Sequence, residues 1–274
     1  MHDLLERART FQALHQRDGA FIIPNPWDVG GACLLARLGF EALATTSMGY
    51  AFSQGRLDNT LGREQTLAYA AEIATATNLP VTADLENGFS DNPVAVAETI
   101  RMAASAGVVG GSIEDSTGRT HDPIYEIARA TERIRAAVEA AQSLPFPFTL
   151  TARAENYLHG HPDIKDTIRR LQAYQEAGAD VLYAPGLASR DDIAAVVSSV
   201  DRPVNVVMGL QGVQLSLAEL TSLGVKRISV GSSLYRAALG TFLRAAGEMR
   251  DKGTFTFAAD AVSSKEVNRM LQQQ

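Results

Sequence analysis

Two hydrophobic rhythms alternate along the chain. Stretches with apolar residues three and four apart, such as "GACLLARLGF" and "ETIRMAASAG", read as amphipathic helices. Each gives way to a short run rich in Val, Ile, Leu or Ala. Four passages share this plan: "LLARLGFEALATT", "MAASAGVVGGSIE", "YQEAGADVLYAPG" and "LTSLGVKRISVGS". In each, the helix ends at Gly39, Gly107, Gly178 or Gly224, a residue type that takes the left-handed conformation without Cβ strain. Prolines mark three further strand starts, in "NLPVTAD", "LPFPFTLTAR" and "DRPVNVVMG", and "FIIPN" adds one more.

Eight strands are therefore expected, near 20–24, 41–46, 80–84, 109–114, 147–153, 180–184, 203–207 and 226–230. A helical pattern follows each. The strands are almost continuously apolar, which suits a parallel sheet covered on both faces. Eight such βα units in about 250 residues match the arithmetic of a TIM barrel. The rival is an open, doubly wound sheet, which announces itself with a Gly-rich phosphate turn after the first strand. Here that turn reads "IIPNPWDVGGA", without G-x-G-x-x-G spacing. The expected fold is α/β: one TIM (β/α)8-barrel domain over residues 1–274, with a helical tail over about 255–274.

Composition narrows the partners. The 274 residues are 46% hydrophobic and 20% charged, with a formal net charge of −6. That sign, and the lack of any Lys/Arg run, argue against nucleic acid and anionic membrane as partners. Cys33 is the single cysteine, so no internal disulfide or multi-cysteine metal site can form. It lies in an amphipathic helical stretch and reads as a buried structural thiol. No apolar run approaches the ~18 residues of a membrane span. The segment "MHDLLERARTFQALHQRDG" carries charges throughout, unlike the apolar core of a signal peptide, so a cytoplasmic location is expected.

In a TIM barrel the chemistry sits at the carboxyl ends of the strands. Asn25 and Asp28 follow the first strand, and Thr45, Thr46, Ser47 and Gly49 the second, with Asp58 in a longer loop. Asp84 and Glu86 follow the third, Glu114 and Asp115 the fourth, and Arg153 and Glu155 the fifth. Tyr183, Asn205 and Ser229 end the last three. Asp58, Asp84, Glu86 and Glu114 would meet at one mouth. Carboxylates crowded there repel one another unless a cation joins them, and oxygen donors without His or Cys suit Mg²⁺, with Mn²⁺ satisfying the same ligands. For any one acid, helix capping or solvation is the simpler role, as for Asp58, Asp91 or Asp115. For the set on three adjacent loops, a metal is the better reading.

Arg153 ends a buried strand, where a lone guanidinium is costly unless paired. It either bridges Glu155 or another strand-end acid, or holds a substrate carboxylate bidentately. Ser47 and Gly49 offer a hydroxyl and a backbone N–H to the same anion. Asn205 is either a satisfied buried amide or a substrate donor. Among the histidines, His2 and His15 read as solvated, and His159 and His161 as loop residues. His121, in the loop after the fourth strand, is the one candidate for acid/base work.

The ordered set "TTSMGY…GRLD…TADLENGF…SIEDS…TARAE" resembles the isocitrate lyase and phosphoenolpyruvate mutase superfamily, from about Phe21 to about Thr254. The resemblance implies an α/β barrel whose last helix is exchanged between subunits, in a dimer or a tetramer built as a dimer of dimers. It implies Mg²⁺ held by the acids matching Asp84, Glu86, Glu114 and Asp58, partly through water. It implies 2-oxo or 2-hydroxy carboxylate substrates gripped by Ser47, Gly49 and Arg153, with Asn205 matching a substrate-binding amide. The shared chemistry makes or breaks a C–C or P–C bond next to a pyruvate-like enolate.

One loop departs from that pattern. Lyases of this kind carry a Lys-Lys-Cys-Gly-His-like segment after the fourth strand, and phosphonate enzymes a Lys and Asn. Here the loop reads "DSTGRTHDPIYE", with neither Cys nor Lys. A Cys-dependent mechanism is thereby disfavoured, while decarboxylation of an oxaloacetate-like acid asks less of the loop. Arg119, Thr120 and His121 would cover the mouth. Three readings stand: a Mg²⁺-dependent carbon–carbon lyase, a phosphonopyruvate-type mutase or hydrolase, and a 2-oxo-acid-binding protein with little turnover.

Overall fold

A computed structural model describes residues 2–187, 189–210 and 212–272. Eight parallel strands form the barrel: β1 (Phe21–Ile23), β2 (Leu43–Ala44), β3 (Val81–Asp84), β4 (Gly110–Glu114), β5 (Thr149–Arg153), β6 (Val181–Tyr183), β7 (Val204–Val207) and β8 (Arg227–Ser229). Their order is β1-β8-β7-β6-β5-β4-β3-β2. The seam between β1 and β2 is closed by Ala44 N–H donating to Pro24 O at 3.1 Å and by the Asn25 amide donating to Thr45 O at 2.9 Å. All eight expected strands are present, and the architecture is that of a TIM barrel. Gly39, Gly107, Gly178 and Gly224 have φ of 87°, 89°, 101° and 85°, so each helix does end on a left-handed glycine.

The first helix, α1 (His2–Gln16), closes the amino-terminal end of the barrel. Ala8, Phe11, Leu14 and His15 recur every three or four residues and are buried together with Phe21 and Val109. His15 thus corrects the expectation of a solvated residue: it is only 6% exposed, edge-on to Phe11 and Phe21. The His2 side chain lies outside the described residues. Cys33 is buried in α2 (Val29–Arg37), as expected, and its thiol donates to Ala76 O.

Between the strands run α3 (Ser47–Ser53), α4 (Arg63–Ala76), α5 (Pro93–Ser105), α6 (Ile127–Gln142), α7 (Ile164–Glu176), α8 (Arg190–Ser198) and α9 (Leu217–Ser222). After β8 come α10 (Ser233–Lys252), a 3-10 turn (Thr256–Asp260) and α11 (Ser264–Gln272). The tail is therefore helical as expected, with Gln273 and Gln274 outside the described residues. Neither α10 nor α11 has a buried residue, and Phe242, Leu243, Phe255 and Val262 are more than half exposed. No described helix is long and apolar enough to cross a membrane.

Candidate active site

The strand ends build a cavity of about 420 Å³ at the carboxyl end of the barrel. Asp58, Asp84, Glu114, Arg153, Glu155, Ser47, Tyr183 and Asn205 all line it. Arg153 is its organising charge. Nη1 lies 3.1 Å from Asp84 Oδ1 and 2.9 Å from Glu114 Oε1, while Nε donates to Glu155 Oε1 at 2.7 Å. Its guanidinium also stacks over the Tyr183 ring at 5.0 Å. Of the two roles open to Arg153 from sequence, this geometry realises the bridging one. The second oxygen of Asp84 accepts from Ser47 Oγ at 2.8 Å. Gly49 stands apart from the cavity: its N–H donates to Thr46 Oγ1, which caps α3.

Glu86 faces a neighbouring recess of about 680 Å³ shared with Glu114, Asn59 and Arg63. Its backbone is left-handed, φ 48°, a conformation that costs a non-glycine residue energy unless the surroundings impose it. Arg133, fully buried on α6, braces the segment that follows Glu86. Its guanidinium donates to the carbonyls of Asn87, Ser90 and Glu114 and packs against the Tyr125 ring at 4.2 Å. Glu86 itself is 8% exposed, and its Oε1 has no hydrogen-bond partner among the described residues.

The acids for which helix capping was the simpler alternative do not cap. Among the described residues Asp58 accepts only from the adjacent Asn59 N–H, while Gly62 takes the N-cap position of α4. Asn92 caps α5, leaving Asp91 to bind Tyr125 Oη and Arg119. Asp115 is 2% exposed. Its Oδ1 accepts from Glu155 N–H at 2.8 Å, and its Oδ2 from Tyr174 Oη at 2.6 Å and Arg170 at 3.1 Å. It fixes the backbone of Glu155, which in turn aligns Arg153.

The electrostatics follow from crowding. Burial, reinforced by Asp84 and Asp58, pushes the Glu86 carboxyl up to about 8. Burial pushes Glu155 up to about 7 against the pull of Arg153. Glu114 and Asp58 are raised for the same reason. Five carboxyl groups thus crowd around one guanidinium, which pairs directly with three of them, Asp84, Glu114 and Glu155. No three acid, His or Cys side chains among the described residues close into a ready ion cage. The set instead fits a hard divalent cation held largely through water, with one or two direct oxygens. The orphaned Glu86 Oε1 is the group such a shell would satisfy.

The loop after β4 is a tight hairpin. Ser116 bridges Ile124, and Arg119 pairs with Asp91 and Asp122. Only Ser116 of this loop reaches the barrel cavity, so Arg119, Thr120 and His121 do not cover it; His121 is exposed outside it. The histidine that does line the rim is His159, after β5. Its place six residues beyond a strand end was the available signal. Arg133 and Arg170 also escaped sequence reading, although each falls on the buried stripe of its helix.

The profile of the phosphoenolpyruvate phosphomutase family matches residues 11–250. A crystal structure of a candidate lyase or mutase from Burkholderia cenocepacia J2315 is 64% identical, with a TM-score of 0.96 over 98% of this chain and 96% of that one. The oxaloacetate decarboxylase of Chromohalobacter salexigens is 26% identical over 91% of this chain and 86% of its own. A phosphonopyruvate hydrolase in complex with oxalate and Mg²⁺ is 25% identical, with a TM-score of 0.86 over 97% and 95% of the two chains. Matched along most of its length, the chain belongs to the phosphoenolpyruvate mutase family of the isocitrate lyase/phosphoenolpyruvate mutase superfamily.

Proposed function

We propose that the protein is a Mg²⁺-dependent lyase of a small, oxaloacetate-like 2-oxo or 2-hydroxy carboxylic acid, acting by C–C cleavage or decarboxylation. The observation that carries this reading is the Asp84–Arg153–Glu114 cluster at the cavity mouth, with Glu86 orphaned beside it. Asp84, Glu86, Glu114 and Asp58 would hold the ion, mainly through its waters, and Mn²⁺ would serve in its place. When bound, the ion supplies positive charge next to the oxygen on which an enolate develops. Similarity to an oxaloacetate decarboxylase and to a Mg²⁺- and oxalate-bound hydrolase supports both the ion and the substrate class.

The chain's own groups then orient the acid. Ser47 and Arg153 lie against Asp84 and are placed to grip a substrate carboxylate as acid–acid repulsion is relieved. Tyr183 and Asn205 form the wall beneath. The proton that quenches the enolate comes from water or from His159 at the rim, which is better situated than His121. The test is oxaloacetate decay with Mg²⁺, with EDTA and in Asp84→Ala. Turnover that survives EDTA, or full activity in the variant, contradicts the proposal.

A second reading is favoured by the loop after β4, which lends the cavity only Ser116: a 2-oxo-acid-binding protein with little turnover. Calorimetric oxalate binding that needs Mg²⁺, without turnover on a 2-oxo-acid panel, would select it. A phosphonate enzyme would instead release phosphate or phosphoenolpyruvate, seen by ³¹P NMR. The exposed apolar residues of α10 and α11 support the further proposal that these helices pack against, or exchange with, a second copy.

A further inference from the structure

One row of paired residues crosses five neighbouring strands of the barrel, β4 to β8. Glu114 pairs with Arg153, Arg153 with Tyr183, Tyr183 with Asn205, and Asn205 with Arg227. Because barrel strands tilt, such a row descends from the mouth toward the opposite end. It therefore carries two arginines with opposite surroundings. Arg153 is shared among three acids.

Arg227, 4% exposed and also lining the cavity, touches only neutral acceptors among the described residues. Nε donates to Asn205 Oδ1 at 2.8 Å, Nη2 to Thr151 Oγ1 at 3.0 Å, and Nη1 lies 3.4 Å from His15 Nε2. The other His15 nitrogen faces the Phe11 carbonyl at 2.8 Å, which can only accept. Nδ1 therefore carries the proton, and Nε2 offers a lone pair to Arg227. No carboxylate among the described residues pairs with this buried cation. Such a charge is costly unless an anion answers it.

From Arg227 the hydrogen bonds continue through the Asn205 amide to Ser229 Oγ at 3.0 Å, and both residues line the cavity. The cavity is thus polarised, with an acidic rim and a cationic floor. We propose that Arg227 is a specificity-determining residue that selects dicarboxylic over monocarboxylic acids. The first carboxylate stays at the rim, and the second lies toward Asn205 and Ser229, above the Arg227 charge. This deepens the proposed function and rests on its assignment of the cavity.

The test compares binding of malate and lactate, which differ by one carboxylate, by calorimetry in saturating Mg²⁺. Wild type is expected to prefer malate by about tenfold or more, the scale of one partly screened charge pair. The preference should fall to near unity in Arg227→Met and persist in Arg227→Lys. Asn205→Asp, nearly isosteric, sets a carboxylate against Arg227 and should also abolish it, which keeps the test alive if the Met variant does not fold. An unchanged malate-to-lactate ratio in either charge-cancelling variant, or equal binding of both acids by wild type, overturns the proposal. A wild type that binds neither acid defeats the proposed function itself.

Discussion

The two ends of the barrel solve the problem of burying polar groups in opposite ways. At the amino-terminal end, α1 seats Phe11 and His15 on Phe21, and His15 finds a partner for each ring nitrogen. At the carboxyl end, charge exceeds its compensation. The buried polar atoms without partners among the described residues are Arg63 Nε, Thr66 Oγ1, Glu86 Oε1 and Arg133 Nε, from the loop and helices around that mouth. A fold optimised only for stability would leave neither these orphans nor a left-handed Glu86. The closed end holds the structure together; the open end stores the tension that a ligand can relieve.

Mutations at the two ends should therefore separate stability from activity. Phe11→Ala, at the closed end, should cost about 3–5 kcal/mol of stability, read from urea midpoints, with little change in Mg²⁺-dependent turnover per folded molecule. Asp84→Asn should do the reverse. A fall in kcat of about 10²–10³-fold is expected from losing one charged group at the reacting end, with an unchanged or slightly raised melting temperature. Arg133→Met lies between, because it supports the strained loop without touching the cavity. It strands three carbonyls, and a stability loss of about 2–4 kcal/mol should accompany a loss of activity.

The ends should also answer pH with opposite signs. Glu86 is raised from an ordinary 4.5 to about 8, so its neutral form is favoured on folding and its contribution is lost as pH climbs through that interval. His15 is lowered from 6.5 to about 3 by burial and by Arg227. Its contribution is complete above 6.5 and lost as pH falls toward 3. Each group limits the slope to about 1.4 kcal/mol per pH unit. Urea melts in EDTA should therefore flatten on the alkaline side in Glu86→Gln and on the acid side in His15→Gln. The same side flattening in both variants would break the comparison.

The smallest expected change in the monomer's own energetics comes from α10. Phe242→Glu alters an exposed side chain, so stability should move by less than about 0.5 kcal/mol, while light scattering should report a lower mass if a second copy covers this face.

The barrel was legible because each strand is bounded by physical punctuation. Proline opens "LPV", "PFPF" and "RPV", and a left-handed glycine closes the helices before four other strands. The strand-end polar residues were legible for the same reason, since pairing register places Asp84, Glu114 and Arg153 at one end. What supports them was not. Arg133 and Arg170 sit in "ERIR" and "IRRL", which look solvated until the helical stripe is counted, and their acceptors are carbonyls and acids far away in sequence. Asp115 and His15 look like a cap and a solvated charge because their partners, Arg170 and Tyr174 for one and Phe21 and Arg227 for the other, are brought in only by the tertiary fold.

The most direct test is a crystal soaked with Mn²⁺ and oxalate, with the metal located by its anomalous signal. An ion is expected at the mouth beside Asp84, reached by Glu86 and Glu114 directly or through water and chelated by oxalate, which also meets Ser47 or Arg153. Oxalate bound without an ion, or an ion absent from the space bounded by Asp84, Glu86 and Glu114, would contradict that expectation.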